Sequence, residues 1–218
     1  MKTPTPIGRA FVASAFVFAA FASASAQTDK IDSLENVIAK AGDDTLKARS
    51  LCRLCWELDK KARYEEALKY GNEGKTLAEL KKDKSGVAMC LHNLGNAYES
   101  VGNYHKAADC YYRSYEIREV IGDRQGSADS YHNLGVIYFN QGEYLRASEV
   151  FRASIKLFRQ VGDSLGVAYC YGNLGYTHEK LNDFQRAKEY IYTAMKIKKD
   201  INHADNYYAL GLVYRKEK

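Results

Sequence analysis

The chain has 218 residues, of which 46% are hydrophobic and 27% charged, and its formal net charge is +5 at pH 7. So small and evenly spread an excess of positive charge argues against nucleic acid or an acidic membrane surface as a partner. The cysteine count of five is odd, so we expect at least one free thiol and no disulfide framework.

The beginning of the chain has the pattern of a secretory signal peptide, which we assign to residues 1–26. Lys2 and Arg9 precede an apolar run at 11–22, and the small residues Ala-Ser-Ala follow at 24–26. The alternative is a membrane anchor, but a bilayer core about 30 Å thick requires a longer apolar segment. We therefore expect cleavage near Ala26, a secreted or periplasmic location, and no membrane span in the mature chain.

A period of forty residues organises the rest of the chain. The segment at 92–98 (HNLGNAY) returns at 132–138 (HNLGVIY) and at 172–178 (GNLGYTH), which indicates an array of structural repeats. Apolar residues in each period follow helical spacing in two successive stretches, so each unit is predicted to contain two helices. The predicted elements are a helix at 29–40, units at about 44–81, 84–121, 124–161 and 164–200, and a partial unit at 204–216.

Small residues and turn residues recur in the same register. Gly95, Gly135 and Gly175 form a column that would let two antiparallel helices approach closely. A leucine at Gly135 or Ala147 is therefore expected to overpack the helix pair. Gly or Asn is expected to end the first helix of a unit, and an Asp at each turn between units to cap the next helix. These turn residues are Gly102, Gly142 and Asn182 within units, and Asp83, Asp123 and Asp163 between units.

These columns resemble tetratricopeptide repeats over about residues 44–214. The usual unit of that family has a large apolar residue, then Leu-Gly and then Tyr on its first helix, and Ala and then an aromatic residue on its second. In this chain the same order is followed by Leu91, Leu94, Gly95, Tyr98, Ala107 and Tyr111. The forty-residue period and the N-L-G motif are similar to the long-repeat subgroup, which includes kinesin light chain and the input domains of bacterial signalling proteins. The resemblance implies an all-α fold, a right-handed α-solenoid of antiparallel helix pairs whose first helices line a concave groove.

The resemblance also implies a peptide-binding groove. Asn93, Asn133 and Asn173 would form a row whose amides can both donate to and accept from the main chain of a bound segment. The alternative is that these amides bridge neighbouring helices within the scaffold. Trp56 is either an anchor for a partner or packs against the N-terminal helix. The remaining candidates in the groove are His92, His132, Asn96 and Tyr176.

We predict no catalytic site, cofactor or metal. Cys52, His92 and His132 share one column, but no fourth metal ligand accompanies them and Gly172 ends the column. Cys52 and Cys55 form a C-x-x-C pair inside a predicted helix, where a packing role is expected instead of redox chemistry. The sequence contains no Ser-His-Asp order, phosphate loop or metalloprotease helix.

Two functions fit these patterns. The first is a non-catalytic exported scaffold that binds a protein or peptide segment in its concave groove. The alternative is the sensory input domain of a longer signalling protein, such as a histidine kinase or a transcription regulator. The last predicted helix has apolar residues on more than one side. It is either a cap with exposed tyrosines, or it packs on a second copy or on further sequence, so self-association through this helix is one interpretation.

Overall fold

The computed structural model describes residues 30–197 and 204–216; the predicted signal peptide lies outside these ranges. Within them the chain forms ten α-helices, which confirms the predicted all-α class. In chain order they are α1 (30–40), α2 (Thr45–Asp59), α3 (Tyr64–Leu80), α4 (Lys84–Ser100), α5 (Tyr104–Ile121), α6 (Arg124–Asn140), α7 (Tyr144–Gln160), α8 (Ser164–Lys180), α9 (Phe184–Ile197) and α10 (Ala204–Lys216). None of these helices is both long enough and apolar enough to cross a membrane.

The helices stack as a solenoid of hairpins. Helices α2 and α3, α4 and α5, α6 and α7, and α8 and α9 pair, and each second helix also packs against the first helix of the next repeat. Helix α1 buries Ile31 in the core of the first repeats, with Leu34 and Ile38 packed beside it. At the other end, α10 packs on α9 and α8 and buries Ala209 and Val213.

The small-residue column exists because large side chains of the second helices fill the space beside it. A Cβ atom at Gly95 would lie 2.7 Å from Cε1 of Tyr111, and one at Gly135 would lie 2.7 Å from Cε1 of Phe151. Such distances are shorter than carbon atoms can approach in a close-packed interior. The predicted close approach of the paired helices is thus confirmed.

The turns between repeats confirm the predicted caps. The Oδ1 atoms of Asp83, Asp123 and Asp163 each accept a hydrogen bond from the backbone N–H three residues later, at 3.0, 3.0 and 2.8 Å. These bonds satisfy donors that the first turn of a helix leaves without a partner. Within repeats, Gly102 and Asn182 take the left-handed conformation that ends a helix, with φ of +74° and +58°.

The cysteines show one error in the sequence prediction. Cys52 of α2 and Cys90 of α4 form a disulfide between neighbouring repeats, with their Cα atoms 4.8 Å apart. The prediction of no disulfide is wrong because the period compares residues forty positions apart, whereas this pair is offset by two residues across adjacent helices. The free-thiol prediction is confirmed, since Cys55, Cys110 and Cys170 are unpaired and buried.

Candidate binding groove

The first helices of the repeats form one face of the solenoid. Helix α2 contacts α4 directly, and α6 contacts α8, in addition to the contacts that each makes with second helices. Direct packing of α2 on α4 and of α6 on α8 places the first helices on the tighter, inner side of the curve, which we call the inner face. Two columns of this face are one helical turn apart. They are Trp56, Asn96, Val136 and Tyr176, and then Asp59, Glu99, Phe139 and Glu179.

The asparagine row is tied into the scaffold at two points. Nδ2 of Asn93 donates to the backbone carbonyl of Cys52 at 2.7 Å, so this side chain bridges α4 and α2. Nδ2 of Asn173 lies 2.9 Å from Nε2 of His132 and joins α8 to α6. The bridging role that the sequence left open is therefore present. Peptide contact by Asn93, Asn133 and Asn173 stays a prediction.

Both histidines of the predicted groove lie at contacts between repeats. Nδ1 of His92 is 3.1 Å from Oγ of Ser130, and burial lowers the pKa of His92 to about 4. In His132, Nδ1 is 3.3 Å from Oδ1 of Asn133 and Nε2 faces the Asn173 amide. A single neutral tautomer, protonated at Nδ1, satisfies both contacts of His132. Burial also lowers the pKa of His132, so both rings are neutral at pH 7.

Carboxylates make the inner face acidic at the first two repeats. The hydroxyl of Tyr111 lies 2.6 Å from Oδ1 of Asn96 and 3.1 Å from Oε2 of Glu99. Burial raises the pKa of both Glu99 and Asp59, and the charge of Asp59 raises the pKa of Glu99 further. One carboxylate oxygen of Asp59 is buried and accepts no hydrogen bond from any residue of the described ranges. This part of the face is suited to a partner carrying positive charge.

An apolar cavity follows at the third and fourth repeats. Its volume is about 240 Å³, and it is lined by Val136, Phe139, Phe151, Asn173 and Tyr176. One polar amide within an otherwise apolar and aromatic lining is the usual composition of a site for a hydrophobic group. Tyr176 and the Asn173 amide, both predicted from the sequence, are thus brought together by the fold.

Trp56 stands at the N-terminal end of the inner face. The indole is 41% exposed, and Nζ of Lys60 lies 5.7 Å from the ring centroid. Together with Leu34 of α1 and Arg53, Trp56 lines an open cavity of about 470 Å³. The residue therefore lies beside the N-terminal helix and still offers much of its ring to a partner.

Comparison with known proteins agrees with this geometry. The profile of the tetratricopeptide repeat family matches residues 60–119 and 126–200, more than half of the chain. The chain belongs to the tetratricopeptide repeat family. This repeat fold is that of a protein-interaction scaffold. A comparison with curated protein sequences gives no significant match.

Solved structures share the tetratricopeptide fold at low identity. BtubC (BKLC) from P. vanneervenii superposes with a TM-score of 0.74 and 20% identity, over 88% of this chain and 84% of that one. Aspartyl phosphate phosphatase F from Bacillus subtilis gives 0.74 and 16%, over 81% of this chain and 48% of that one. A signal-transduction ATPase with a tetratricopeptide repeat sensor from Pyrococcus horikoshii gives 0.71 and 18%, over 83% and 28%. At these identities the likeness concerns the fold alone.

A second cavity between tetratricopeptide repeats was missed by sequence reasoning. It has a volume of about 180 Å³ and is lined by Asp129, His132, Phe158, Asp163, Leu165, Gly166 and Tyr169. The sequence feature that could have predicted this cavity is the loss of two arginines. Asp129 and Phe158 occupy the repeat positions that are Arg49 and Arg118 in earlier repeats. Within the described ranges, no group of three or more His, Cys, Asp or Glu side chains is arranged to hold a metal ion.

Proposed function

We propose that this tetratricopeptide protein is an exported, non-catalytic scaffold that binds an extended protein segment along its inner face. The observation that carries the proposal is the apolar cavity at Val136 and Tyr176, which lies on the same face as the exposed indole of Trp56. Aromatic and aliphatic pockets bordered by polar groups are where binding energy concentrates in protein interfaces. Asp59 lies one turn from Trp56 on α2, and Glu99 lies on α4, a first helix between those that carry the two anchor points.

The spacing of the repeats suits an extended chain. Packed helices lie about 8–10 Å apart, and an extended segment advances about 3.3 Å per residue. Every third side chain of such a segment would therefore meet the next first helix. A regular ladder of this kind favours an internal segment of a partner over a compact small molecule.

Export is supported by two independent features. One is the signal-peptide pattern of residues 1–26, and the other is the disulfide between Cys52 and Cys90. Structural disulfides form and persist in oxidising compartments and are rare in the cytosol. Expression of the full chain in a Gram-negative host, followed by N-terminal sequencing, tests this part. A mature chain beginning at Gln27 is expected, whereas an intact N-terminus in the cytoplasmic fraction would contradict export.

The groove is tested with peptides selected from a random phage-displayed library on the wild-type protein. Trp56→Ala and Tyr176→Ala should each lower the affinity for the enriched peptides about tenfold or more, as loss of an aromatic anchor commonly does. Tyr112→Ala is the matched control, because Tyr112 is an exposed aromatic residue on the second helix α5. Equal binding by all three variants would remove the groove from the proposal. Asn93 and Asn173 are less suitable for this test because they also bridge helices.

A second candidate is a sensory module that contacts a further domain or a second copy through α10. The observation in its favour is exposed aromatic surface on that helix, where Tyr207 is 64% and Tyr208 is 66% exposed. Exposed apolar surface of this kind often marks an interaction site. Light scattering of wild type and a Tyr207→Ser/Tyr208→Ser variant tests self-association. Kinase or regulator motifs in frame in the DNA beyond Lys218 would favour the sensory role.

A further inference from the structure

Each of the three turns between complete repeats has an aspartate that caps the next first helix, and at the first two turns an arginine neutralises that aspartate. At the first turn the arginine is Arg49 of α2. Its Nε and Nη2 lie 2.7 and 2.9 Å from Oδ2 and Oδ1 of Asp83, a bidentate pair. The hydrogen bonds from Arg49 lower the pKa of Asp83, so the carboxylate keeps its charge.

At the second turn the arginine comes from a different helix. Nη1 of Arg118, on α5, lies 3.0 Å from Oδ2 of Asp123, and Nε donates to Oγ of Ser114 at 3.2 Å. The guanidinium of Arg118 packs directly over Gly126, which has no side chain to obstruct it. Two different positions in the repeat thus supply the same chemistry to equivalent aspartates.

The third turn has the aspartate, Asp163, without either arginine. Eighty residues after Arg49 the chain has Asp129, and forty residues after Arg118 it has Phe158. The ring of Phe158 packs over Gly166 as the guanidinium of Arg118 packs over Gly126. A second carboxylate has therefore replaced one cation, and an aromatic ring has replaced the other.

Asp163 and Asp129 share a neutral partner instead. Nε2 of Gln125 lies 3.0 Å from Oδ2 of Asp163 and 3.4 Å from Oδ1 of Asp129, so the two carboxylates are close together. Backbone hydrogen bonding from Gly166 lowers the pKa of Asp163, which is therefore ionised. The pKa of Asp129 is raised, chiefly by burial and further by the charge of Asp163, although Arg118 opposes this. A cation placed between the two carboxylates would stabilise the charged form of Asp129 and offset its repulsion by Asp163.

The cavity of about 180 Å³ lies at these two carboxylates. Its walls include the rings of Phe158, Tyr169 and the neutral His132, together with Leu165. A planar guanidinium can hydrogen-bond to carboxylates at its edge while its face stacks on aromatic rings. An ammonium group has no such flat face, so arginine fits this lining better than lysine.

We propose that this cavity, the third-turn pocket, binds an arginine side chain of the partner segment, whose guanidinium pairs with Asp163 as Arg49 and Arg118 pair with the equivalent aspartates at the other two turns. The proposal rests on the proposed function, because the pocket lies between α6 and α8, which also border the apolar cavity. Asp129 and Val136 are separated by about 10 Å along α6, two helical turns, so the pocket and the apolar cavity both border a helix that the segment crosses.

The test is a titration of the full chain with N-acetyl-arginine amide, followed by ¹H–¹⁵N NMR. The reporters are the backbone amide of Gly166, which donates to Asp163, and the side-chain amide of Gln125. Saturable shifts of both are expected. N-acetyl-citrulline amide has nearly the same shape without the charge. Its affinity should be at least about tenfold lower, because charge-assisted hydrogen bonds are lost. Asp129→Asn should lower the affinity for the arginine probe about tenfold. Asp109→Asn, the same change on the exposed side of α5, should leave that affinity unchanged.

A stronger variant is Asp129→Arg, which recreates the arrangement of Arg49 and Asp83. The new side chain should pair with Asp163, leave the melting temperature at or above that of wild type, and abolish the shifts caused by the arginine probe. Equal shifts by the citrulline probe, unchanged shifts in Asp129→Arg, or no saturable shift at Gly166 and Gln125 would each overturn the pocket. Because the probe requires no partner, its failure with intact peptide binding at Trp56 and Tyr176 would refute only the pocket. Saturable arginine binding without any groove peptide would refute only the groove.

Discussion

The side-chain amide of Asn93 donates a 2.7 Å hydrogen bond to the backbone carbonyl of Cys52 on the preceding first helix. The same two helices are joined by the disulfide from Cys52 to Cys90. A residue that the family resemblance predicts to lie in a peptide-binding row is therefore a structural link between repeats. The first two repeats are held together by a covalent bond and a hydrogen bond close to the inner face.

Replacing Asn93 by alanine should lower the free energy of unfolding by about 1 kcal/mol, the usual net contribution of one intramolecular hydrogen bond. Urea denaturation measures the change. Asn72→Ala is the control, because that amide donates to the carbonyl of Leu68 within its own helix α3. Unchanged stability together with weakened peptide binding would assign Asn93 to the ligand instead of the scaffold.

Reduction of the disulfide should destabilise the fold. A closed loop of this length contributes about 2–4 kcal/mol, so dithiothreitol should lower the melting temperature of wild type but not that of a Cys52→Ser/Cys90→Ser variant. Thiol titration of the unreduced chain in guanidinium gives a direct check. Three reactive thiols are expected from Cys55, Cys110 and Cys170. Five would show that Cys52 and Cys90 are not bonded.

Gly135 should not tolerate a side chain. Gly135→Ala places a Cβ atom 2.7 Å from Cε1 of Phe151 and should cost about 1–3 kcal/mol through overpacking, with Gly135→Leu costing more. Chemical denaturation compares these variants with Gly42→Ala, whose Cβ would meet nothing within 4 Å. Phe151→Leu in the Gly135→Ala background should recover part of the loss. If the two substitutions instead change the free energy of unfolding additively, the side chains at positions 135 and 151 do not compete for the same space.

Acid should weaken the interface between the second and third repeats through His92. Its pKa is lowered by burial from 6.5 to about 4, so between these values the unfolded chain binds a proton that the folded chain does not. Stability therefore falls as pH decreases from about 6.5 to about 4, by at most roughly 1.4 kcal/mol per pH unit for this one group. Urea denaturation at several pH values should show a shallower dependence for His92→Gln. An unchanged dependence would assign the acid sensitivity to His132 and His178, whose pKa values are also lowered.

Several features could be read directly from the sequence because they depend on residues close together in the chain or exactly one period apart. The cap from Asp163 to the Gly166 amide spans three residues of one helix start. Gly95 packs against Tyr111 within one helical hairpin. The forty-residue period places the same contact at Gly135 and Phe151. The same periodicity predicted the ten-helix solenoid in the described residues.

Contacts between successive first helices could not be read in this way. They depend on how far one helix is shifted along its neighbour, and a small shift selects a different side chain without changing the period. Cys52 therefore meets Cys90 instead of the residue forty positions on, and Asn93 finds the Cys52 carbonyl. The sequence by itself determined the helices, their caps and their order in the array. Only the tertiary structure decided which polar side chains bridge the repeats and where cavities remain, because these follow from lateral packing between elements distant in the chain.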